Sequence, residues 1–117
     1  MRQIEGAKYL ATSVASALDA GKAENVTVLS VREMTSIADY FVIASGATQR
    51  QVKALSDRVL MGTADTRKPT HVEGYDNSSW VLLDYGDVVV HVFRDQERAF
   101  YGLERLWGDA PRLDWQE

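Results

Sequence analysis

The segment over residues 80–93, WVLLDYGDVVVHVF, constrains the fold more than any other part of this chain. It consists of two runs rich in Val and Leu that are joined through a Gly-Asp pair, and this pattern predicts a β-hairpin. A two-residue loop at Tyr85-Gly86 or at Gly86-Asp87 divides the side chains between the two faces in the same way. One face is then a conventional core face, made of Val81, Leu83, Tyr85, Val88, Val90 and Val92.

The opposite face of the hairpin, named the Trp80 face below, has a mixed character. Its members are Trp80, Leu82, Asp84, Val89, His91 and Phe93. This set is too apolar for a solvent-exposed surface and too polar for a dry core, and a tryptophan in such a setting is typical of a protein interface. We therefore predict that something else covers this face. The chain's own tail, a second copy of the chain and a different protein are all open at this point.

The length and composition are those of one globular domain. The chain has 117 residues, of which 45% are apolar and 26% are charged, which suffices for a core without covalent crosslinks. No window is long and apolar enough for a membrane span, and no signal peptide is expected. Cysteine is absent, which excludes disulfides, thiol nucleophiles and thiolate metal sites and fits a reducing cytoplasm.

The charge distribution argues against direct sequence reading of nucleic acid. The net charge is −4, from 13 basic and 17 acidic residues, and the basic residues are scattered instead of forming a stripe. A mildly acidic chain is better suited to a basic protein partner, because opposite potentials favour association.

Hydrophobic periodicity predicts further elements around the hairpin. Helical spacing predicts helices over residues 4–18, 49–62 and 99–107, and β-branched runs predict strands over 26–31, 39–44 and 71–74. Thr48 and Gln51 form a capping-box pattern at the start of the second helix. The order α-β-β-α-β-β-β-α predicts a single α/β domain, with a mixed sheet of about five strands and helices mainly on one face. We assign residues 1–108 to this domain and 109–117 to a C-terminal tail, from which Trp115 could dock onto the body.

No combination of residues in the sequence predicts catalysis. The turn at residues 46–48 could bind an anion at a helix N-terminus, but it lacks a Walker lysine and the glycine spacing of a dinucleotide site, so an ordinary capped helix start is favoured. Asp84 and Asp87 lie across a turn without a third acid nearby. The two histidines, His71 and His91, do not make a zinc site alone. We predict no catalytic residue, no cofactor and no metal.

Two segments resemble a known family. The first is TSIADYFVIASG at residues 35–46, followed by RQVKAL at 50–55. The second comprises EG at 73–74, the hairpin at 80–93 and FYGLERLW at 100–107. Together they resemble the ribosomal silencing factor family, RsfS, also called Iojap-like, from the first helix to Trp107. The departures are small: Ser30 stands where the family often has Asp, and Ala47-Thr48 stands where it often has a small polar pair.

The resemblance implies a nucleotidyltransferase-like fold that has no known catalytic role. Distant enzymes of that fold use a Gly-Ser turn followed by an alternating acidic pair, whereas residues 49–53 contain no acid. The resemblance also implies a partner, the large-subunit ribosomal protein numbered fourteen, called protein fourteen below. Binding there prevents the small subunit from joining, which represses translation when nutrients are scarce. Members of the family are often homodimers in isolation.

The Trp80 face and the resemblance together give a set of partner-binding candidates. This set is Trp80, Leu82, Asp84, Tyr85, Val89 and His91. Trp80, Leu82 and Val89 would form the desolvated centre, and Asp84 would meet a lysine or arginine of the basic partner. His91 would donate or accept at the rim, and Tyr85 would reach the partner from the turn.

Two other functions are compatible with the residues. The first is a small metal-dependent nucleotidyltransferase that uses the Gly46 turn with Asp84 or Asp87. The second is a homodimerising module that does not bind ribosomes and whose Trp80 face is the dimer interface. The absence of an acidic pair after Gly46 argues against the first, and the concentration dependence of the oligomeric state would identify the second.

Overall fold

The element order along the chain confirms the prediction up to the last strand. The structure, a computed structural model, describes residues 4–116, with the side chains of Ile4, Glu5, Ala99, Phe100, Tyr101 and Leu103 outside the described set. The helices are α1 (Ile4–Ala20), α2 (Gln49–Thr63), α3 (Asp95–Tyr101) and α4 (Leu103–Leu106). The strands are β1 (Glu24–Ser30), β2 (Tyr40–Gly46), β3 (His71–Glu73), β4 (Trp80–Asp84) and β5 (Val88–Arg94).

The strands form one mixed sheet in the order β1-β2-β5-β4-β3. β2 and β5 run parallel at its centre, and the other neighbouring strands are antiparallel. β2 lies between two strands and is buried along its whole length, which accounts for its nearly continuous apolar sequence. The predicted fold class, a single α/β domain with a five-strand mixed sheet, is confirmed.

β4 and β5 form the predicted hairpin, and their register confirms the predicted faces. The Tyr85 N–H donates to the Val88 carbonyl at 2.8 Å, so the loop is Gly86-Asp87, one of the two that the sequence allows. Gly86 has a φ of 94° at the first loop position, where a type II′ turn requires a positive φ. The cross-strand pairs on the Trp80 face are Trp80–Phe93, Leu82–His91 and Asp84–Val89.

Helices α1 and α2 cover one face of the sheet, where the larger core lies. Alanines along the inner side of α1 allow this helix to lie close to the strands. All members of the predicted core face are buried there, namely Val81, Leu83, Tyr85, Val88, Val90 and Val92. Among the residues that the structure describes, no helix is both long and apolar enough to cross a membrane.

The turn between β2 and α2 is an ordinary capped helix start. The Gln51 N–H donates to the Thr48 hydroxyl at 3.0 Å, and the Gln51 side-chain oxygen accepts from the Ala47 N–H at 2.8 Å. The capping-box prediction is therefore confirmed, with the reciprocal bond reaching the residue before the cap. These bonds occupy two of the backbone N–H groups that an anion would need at this turn.

A second, smaller core lies on the other face of the sheet. It is made of Leu29, Val31, Ala38, Phe41, Ile43, Val89, Phe93 and Ala110, with Trp80, Leu82 and Trp107 packed against it in part. Trp107 and Ala110 follow α4 in the chain, so the C-terminal segment covers part of the face that α1 and α2 leave open. The predicted arrangement, with helices mainly on one face, thus includes a partial cover on the other.

The C-terminal helix departs from the prediction. The sequence predicts one helix over residues 99–107, whereas α3 begins at Asp95 and ends before Gly102. Gly102 adopts a left-handed φ of 59°, and its N–H donates to the Arg98 carbonyl at 3.1 Å, which ends α3 and redirects the chain into α4. The side chains of Phe100 and Leu103, which belong to the predicted helical pattern, lie outside the described residues.

The segment after residue 108 lies along β1. The Ser30 N–H donates to the Pro111 carbonyl and the Leu113 N–H donates to the Val28 carbonyl, both at 2.8 Å. The indole N–H of Trp115 donates to the Val26 carbonyl at 3.3 Å, which confirms that Trp115 docks onto the body. The chain itself therefore closes the β1 edge of the sheet, and β3 forms the other edge.

Candidate functional site

The Trp80 face lies on the side of the sheet opposite α1 and α2, and its burial is graded across the two strands. On β5, Phe93, His91 and Val89 are buried, with exposed fractions of 0%, 5% and 7%. On β4, Trp80 and Leu82 are half-buried, as is Asp84. The difference arises because Phe41 of β2 and the C-terminal segment cover the β5 half. The accessible half is thus a short row on β4.

Trp80 is held by two neighbours on β5. Its ring stacks on Phe93, with centroids 4.8 Å apart and an interplanar angle of 29°. Its indole N–H donates to Nδ1 of His91 at 3.2 Å. Because the stacked neighbour and the hydrogen-bonded neighbour are both buried, Trp80 is a fixed aromatic group at the border between covered and open surface.

His91 lies beneath this border and not at the rim. Phe41 contacts its ring edge to face, with centroids 5.2 Å apart. Burial lowers the pKa of His91 to about 4, so the ring is neutral at neutral pH. Since Nδ1 accepts from Trp80, the ring proton is on Nε2, and this buried atom has no hydrogen-bond partner among the described residues. The prediction that His91 contacts a partner at the rim is therefore wrong for this structure, because only 5% of the residue is exposed.

Val89 also lies under cover already. Its side chain is part of the second core, and 7% of the residue is exposed. It therefore supports the face from below, while the exposed surface of the predicted centre comes from Trp80 and Leu82. Direct contact between Val89 and a partner would require movement of the groups above it.

Tyr85 does not reach the Trp80 face. Its side chain lies in the core beneath α1 and α2, with 3% of the residue exposed. Its hydroxyl and that of Thr63 form a hydrogen bond of 2.8 Å, and burial raises the pKa of the Tyr85 hydroxyl. The prediction that Tyr85 reaches a partner from the turn is wrong, because strand alternation continues through this position and directs the ring to the helical side.

The two aspartates at the hairpin turn have local partners. Asp84 accepts from the Gly86 N–H through Oδ1 at 2.8 Å, an Asx-type bond that stabilises the turn. Asp87 forms an ion pair with Arg67 at 2.9 Å. Within residues 4–116 as described, no group of three or more His, Cys, Asp or Glu side chains is placed to hold a metal ion. Asp84 remains half-buried beside Leu82, at the end of the accessible row.

Three features of the site are absent from the prediction. Phe41 and Trp107 form the cover, with ring centroids 5.2 Å apart in an edge-to-face contact. Ile37 in the connector before β2 is 75% exposed, next to Ala38 of the second core. Gly74 has a φ of 77°, and a Cβ there would lie 2.0 Å from the Trp80 carbonyl oxygen, so it permits the close approach of the two chain segments. In the sequence, the close approach at Gly74 is indicated by the pair Glu73-Gly74, which is part of the resemblance.

Comparison with known proteins identifies the family. Residues 4–117 match the sequence profile described as "Ribosomal silencing factor during starvation". The chain belongs to the ribosomal silencing factor family, RsfS. The RsfS protein of Bacillus subtilis is 42% identical over 109 residues, which cover 92% of this chain and 92% of that protein. The RsfS protein of Halalkalibacterium halodurans is 43% identical over 100 residues, which cover 85% of this chain and 86% of that protein.

A solved structure supports the RsfS fold independently of the family profile. The crystal structure of a Chromobacterium violaceum protein superposes on this chain with a TM-score of 0.82 at 34% sequence identity. The alignment covers 92% of this chain and 88% of the Chromobacterium violaceum chain. RsfS proteins are silencing factors, so this chain has a ribosome-associated silencing role and is a non-enzymatic regulator. The prediction that it is not an enzyme is confirmed on that ground, and the nucleotidyltransferase alternative is set aside.

Proposed function

We propose that this RsfS chain binds the large ribosomal subunit through protein fourteen and thereby blocks joining of the small subunit. Translation is then repressed under nutrient limitation, and the site of action is the cytoplasm. The observation that carries the proposal is the half-buried row of Trp80, Leu82 and Asp84 on β4, which stands on a buried second core. This arrangement has the anatomy of an interface, with an apolar centre and a charged group beside it.

Trp80 is the principal anchor in this proposal. Tryptophan is enriched among the residues that dominate binding energy, above all where it enters a desolvated pocket near the centre of the interface. Here its ring is already stacked on Phe93 and hydrogen-bonded to His91, so little side-chain freedom is lost on docking. Leu82 extends the apolar contact along the same strand.

Charge complementarity favours a basic partner. The chain carries a net charge of −4, and Asp84 places a carboxylate next to the apolar part of the row. One carboxylate oxygen accepts from the Gly86 N–H, which fixes the direction of the group. A lysine or arginine of the partner can then pair with it at a defined position, and an uncharged or acidic partner would leave it desolvated and unpaired.

Silencing by this route requires occupancy and no chemistry. A bound domain with principal extents of 38 × 33 × 27 Å prevents close approach of a second large body over the surface it covers. The rate of subunit joining should fall in proportion to the fraction of large subunits that carry the protein. No substrate, cofactor or metal enters this mechanism.

The direct test is co-sedimentation with separated ribosomal subunits, followed by a subunit-joining assay. We expect the wild type to pellet with the large subunit alone and to inhibit joining. The double variant Trp80→Ala, Asp84→Ala should bind at least about 30-fold more weakly, because a central tryptophan anchor alone contributes about 2 kcal/mol or more. Met61→Ala is the matched control, since Met61 is 78% exposed on α2, on the other side of the sheet. Unchanged binding by the folded double variant would refute the assigned face.

Self-association through the same face is the second candidate function. Trp80 and Leu82 are large apolar residues that are only half-buried, and a second copy could cover them as well as a ribosomal protein could. Sedimentation velocity over a range of concentrations measures this directly. If dimer and large subunit compete for the face, Trp80→Ala should weaken both, and added large subunits should dissociate the dimer. A dimer that persists on the large subunit would assign self-association to another surface.

A further inference from the structure

We propose that His91 is a positioning residue that holds the Trp80 indole with its N–H edge turned inward, so that the ring presents its carbon edge to the docking partner. This inference rests on the proposed function for the identity of the partner. It concerns the orientation of the anchor, which can be measured in the free protein. The partner chemistry that it specifies is an apolar pocket without a hydrogen-bond acceptor for the indole.

The direction of the hydrogen bond follows from the chemistry of the two groups. An indole N–H only donates, so Nδ1 of His91, at 3.2 Å, accepts through its lone pair. The neutral ring therefore carries its proton on Nε2. Because His91 is buried and Trp80 is half-buried, the bond directs the N–H edge of Trp80 toward the interior of the face.

The other ring nitrogen shows that the histidine is not placed here for stability alone. Nε2 is buried without a hydrogen-bond partner among the described residues, and an unpaired buried donor is unfavourable. An apolar side chain at the same position on β5 would fill the space between Phe41 and Phe93 without this penalty. An apolar side chain could not, however, accept the hydrogen bond from the Trp80 indole N–H.

Stacking supplies the second constraint on the anchor. One ring face of Trp80 lies against Phe93, with centroids 4.8 Å apart. One ring face and the N–H edge are therefore both occupied by residues of β5, and in this proposal the carbocyclic edge is the part that the partner receives. A partner that receives this edge gains apolar contact and has no indole N–H to satisfy.

The test compares two substitutions of His91. In His91→Asn the side-chain amide oxygen can take the place of Nδ1 and keep the acceptor, whereas His91→Leu removes it. The first readout is solvent exchange and chemical shift of the Trp80 indole N–H in the free protein, assigned with Trp80→Phe because the chain has three tryptophans. We expect a protected indole N–H in the wild type and in His91→Asn, and a shifted, rapidly exchanging one in His91→Leu. An indole N–H that is equally protected in His91→Leu would overturn the proposal.

The second readout is affinity for purified large subunits. His91→Leu should bind about 3- to 10-fold more weakly, the cost of immobilising one side chain on binding, and His91→Asn should bind like the wild type. In a Trp80→Phe background, which keeps an aromatic ring and removes the N–H, His91→Leu should cause no further loss. An equal loss in both backgrounds would show a merely structural role for His91. If the wild type does not bind large subunits, the proposed function fails, and the indole measurement still decides the orientation of Trp80.

Discussion

Acid should destabilise this protein through His91. Burial lowers the pKa of His91 from its ordinary value of 6.5 to about 4, and no acidic side chain among the described residues offsets this effect. Below pH 6.5 the unfolded chain binds a proton that the folded chain does not, so protonation favours unfolding. The contribution of His91 to stability is therefore complete above pH 6.5 and is lost as the pH falls toward 4. The sign is opposite to that of a histidine with a carboxylate partner, whose folded-state pKa is raised.

The size of the effect follows from the difference between the two pKa values. A change from 6.5 to about 4 corresponds to a loss of about 3 kcal/mol once the pH is below both values. At pH 5 the unfolded state is almost fully protonated at this residue and the folded state is not, which gives about 2 kcal/mol. That is a large part of the free energy of unfolding of an ordinary small domain.

Urea unfolding at pH 7.5 and pH 5 measures this loss. His91→Asn removes the imidazole and leaves every other titratable group in place, so the difference between the pH dependences of the two proteins isolates His91. We expect the wild type to lose about 2 kcal/mol more than His91→Asn over this range. His71→Asn is the control, because it removes the other histidine, which is exposed on β3, and should keep the wild-type dependence. Parallel pH dependences for the wild type and His91→Asn would refute the assignment of a buried, neutral His91.

Two further substitutions, Gly74→Ala and Arg98→Leu, test the supports of the face, and Gly62→Ala is the control for the first. Gly74→Ala should reduce the free energy of unfolding by more than about 2 kcal/mol, because the added Cβ would lie 2.0 Å from the Trp80 carbonyl oxygen at a φ of 77°. Gly62→Ala, where a Cβ meets nothing within 4 Å, should be neutral or stabilising in the same thermal unfolding assay. Arg98→Leu should cost about 2 kcal/mol by urea unfolding, since it leaves Glu104 without two 2.8 Å hydrogen bonds that join α3 to α4. Wild-type stability in that variant would show that this pair does not hold the C-terminal segment.

The hairpin could be predicted from the sequence because its information is local. A strand has a side-chain period of two, and a two-residue loop containing glycine fixes the register, so both faces of β4 and β5 follow from residues 80–93 alone. The same rule exposes the error at Tyr85. Alternation places the Tyr85 ring on the side of the sheet that α1 and α2 cover. A position next to the turn does not by itself bring the ring into contact with a partner.

The cover over β5 could not be predicted because it depends on distant parts of the chain. Phe41 lies in a strand that is apolar on both faces, so alternation gives no indication of which side it occupies. Trp107 and Ala110 reach the face only because Gly102 ends α3 and turns the chain. A glycine inside a helical pattern is compatible with a continuous helix as well as with a break, and tertiary packing decides between them.

This cover changes how the face can function. If all six residues of the Trp80 face were exposed, a partner would have to desolvate and order a broad surface of mixed polarity. That surface would include His91, whose Nε2 has no hydrogen-bond partner among the described residues. Instead the chain buries the β5 half itself, and the partner meets a short row on β4 whose anchor is already oriented. A regulator that acts by occupancy depends on how long it stays bound, and a preordered anchor improves binding mainly by slowing dissociation. The buried half of the face is therefore as much a part of the function as the exposed half, although no partner needs to touch it.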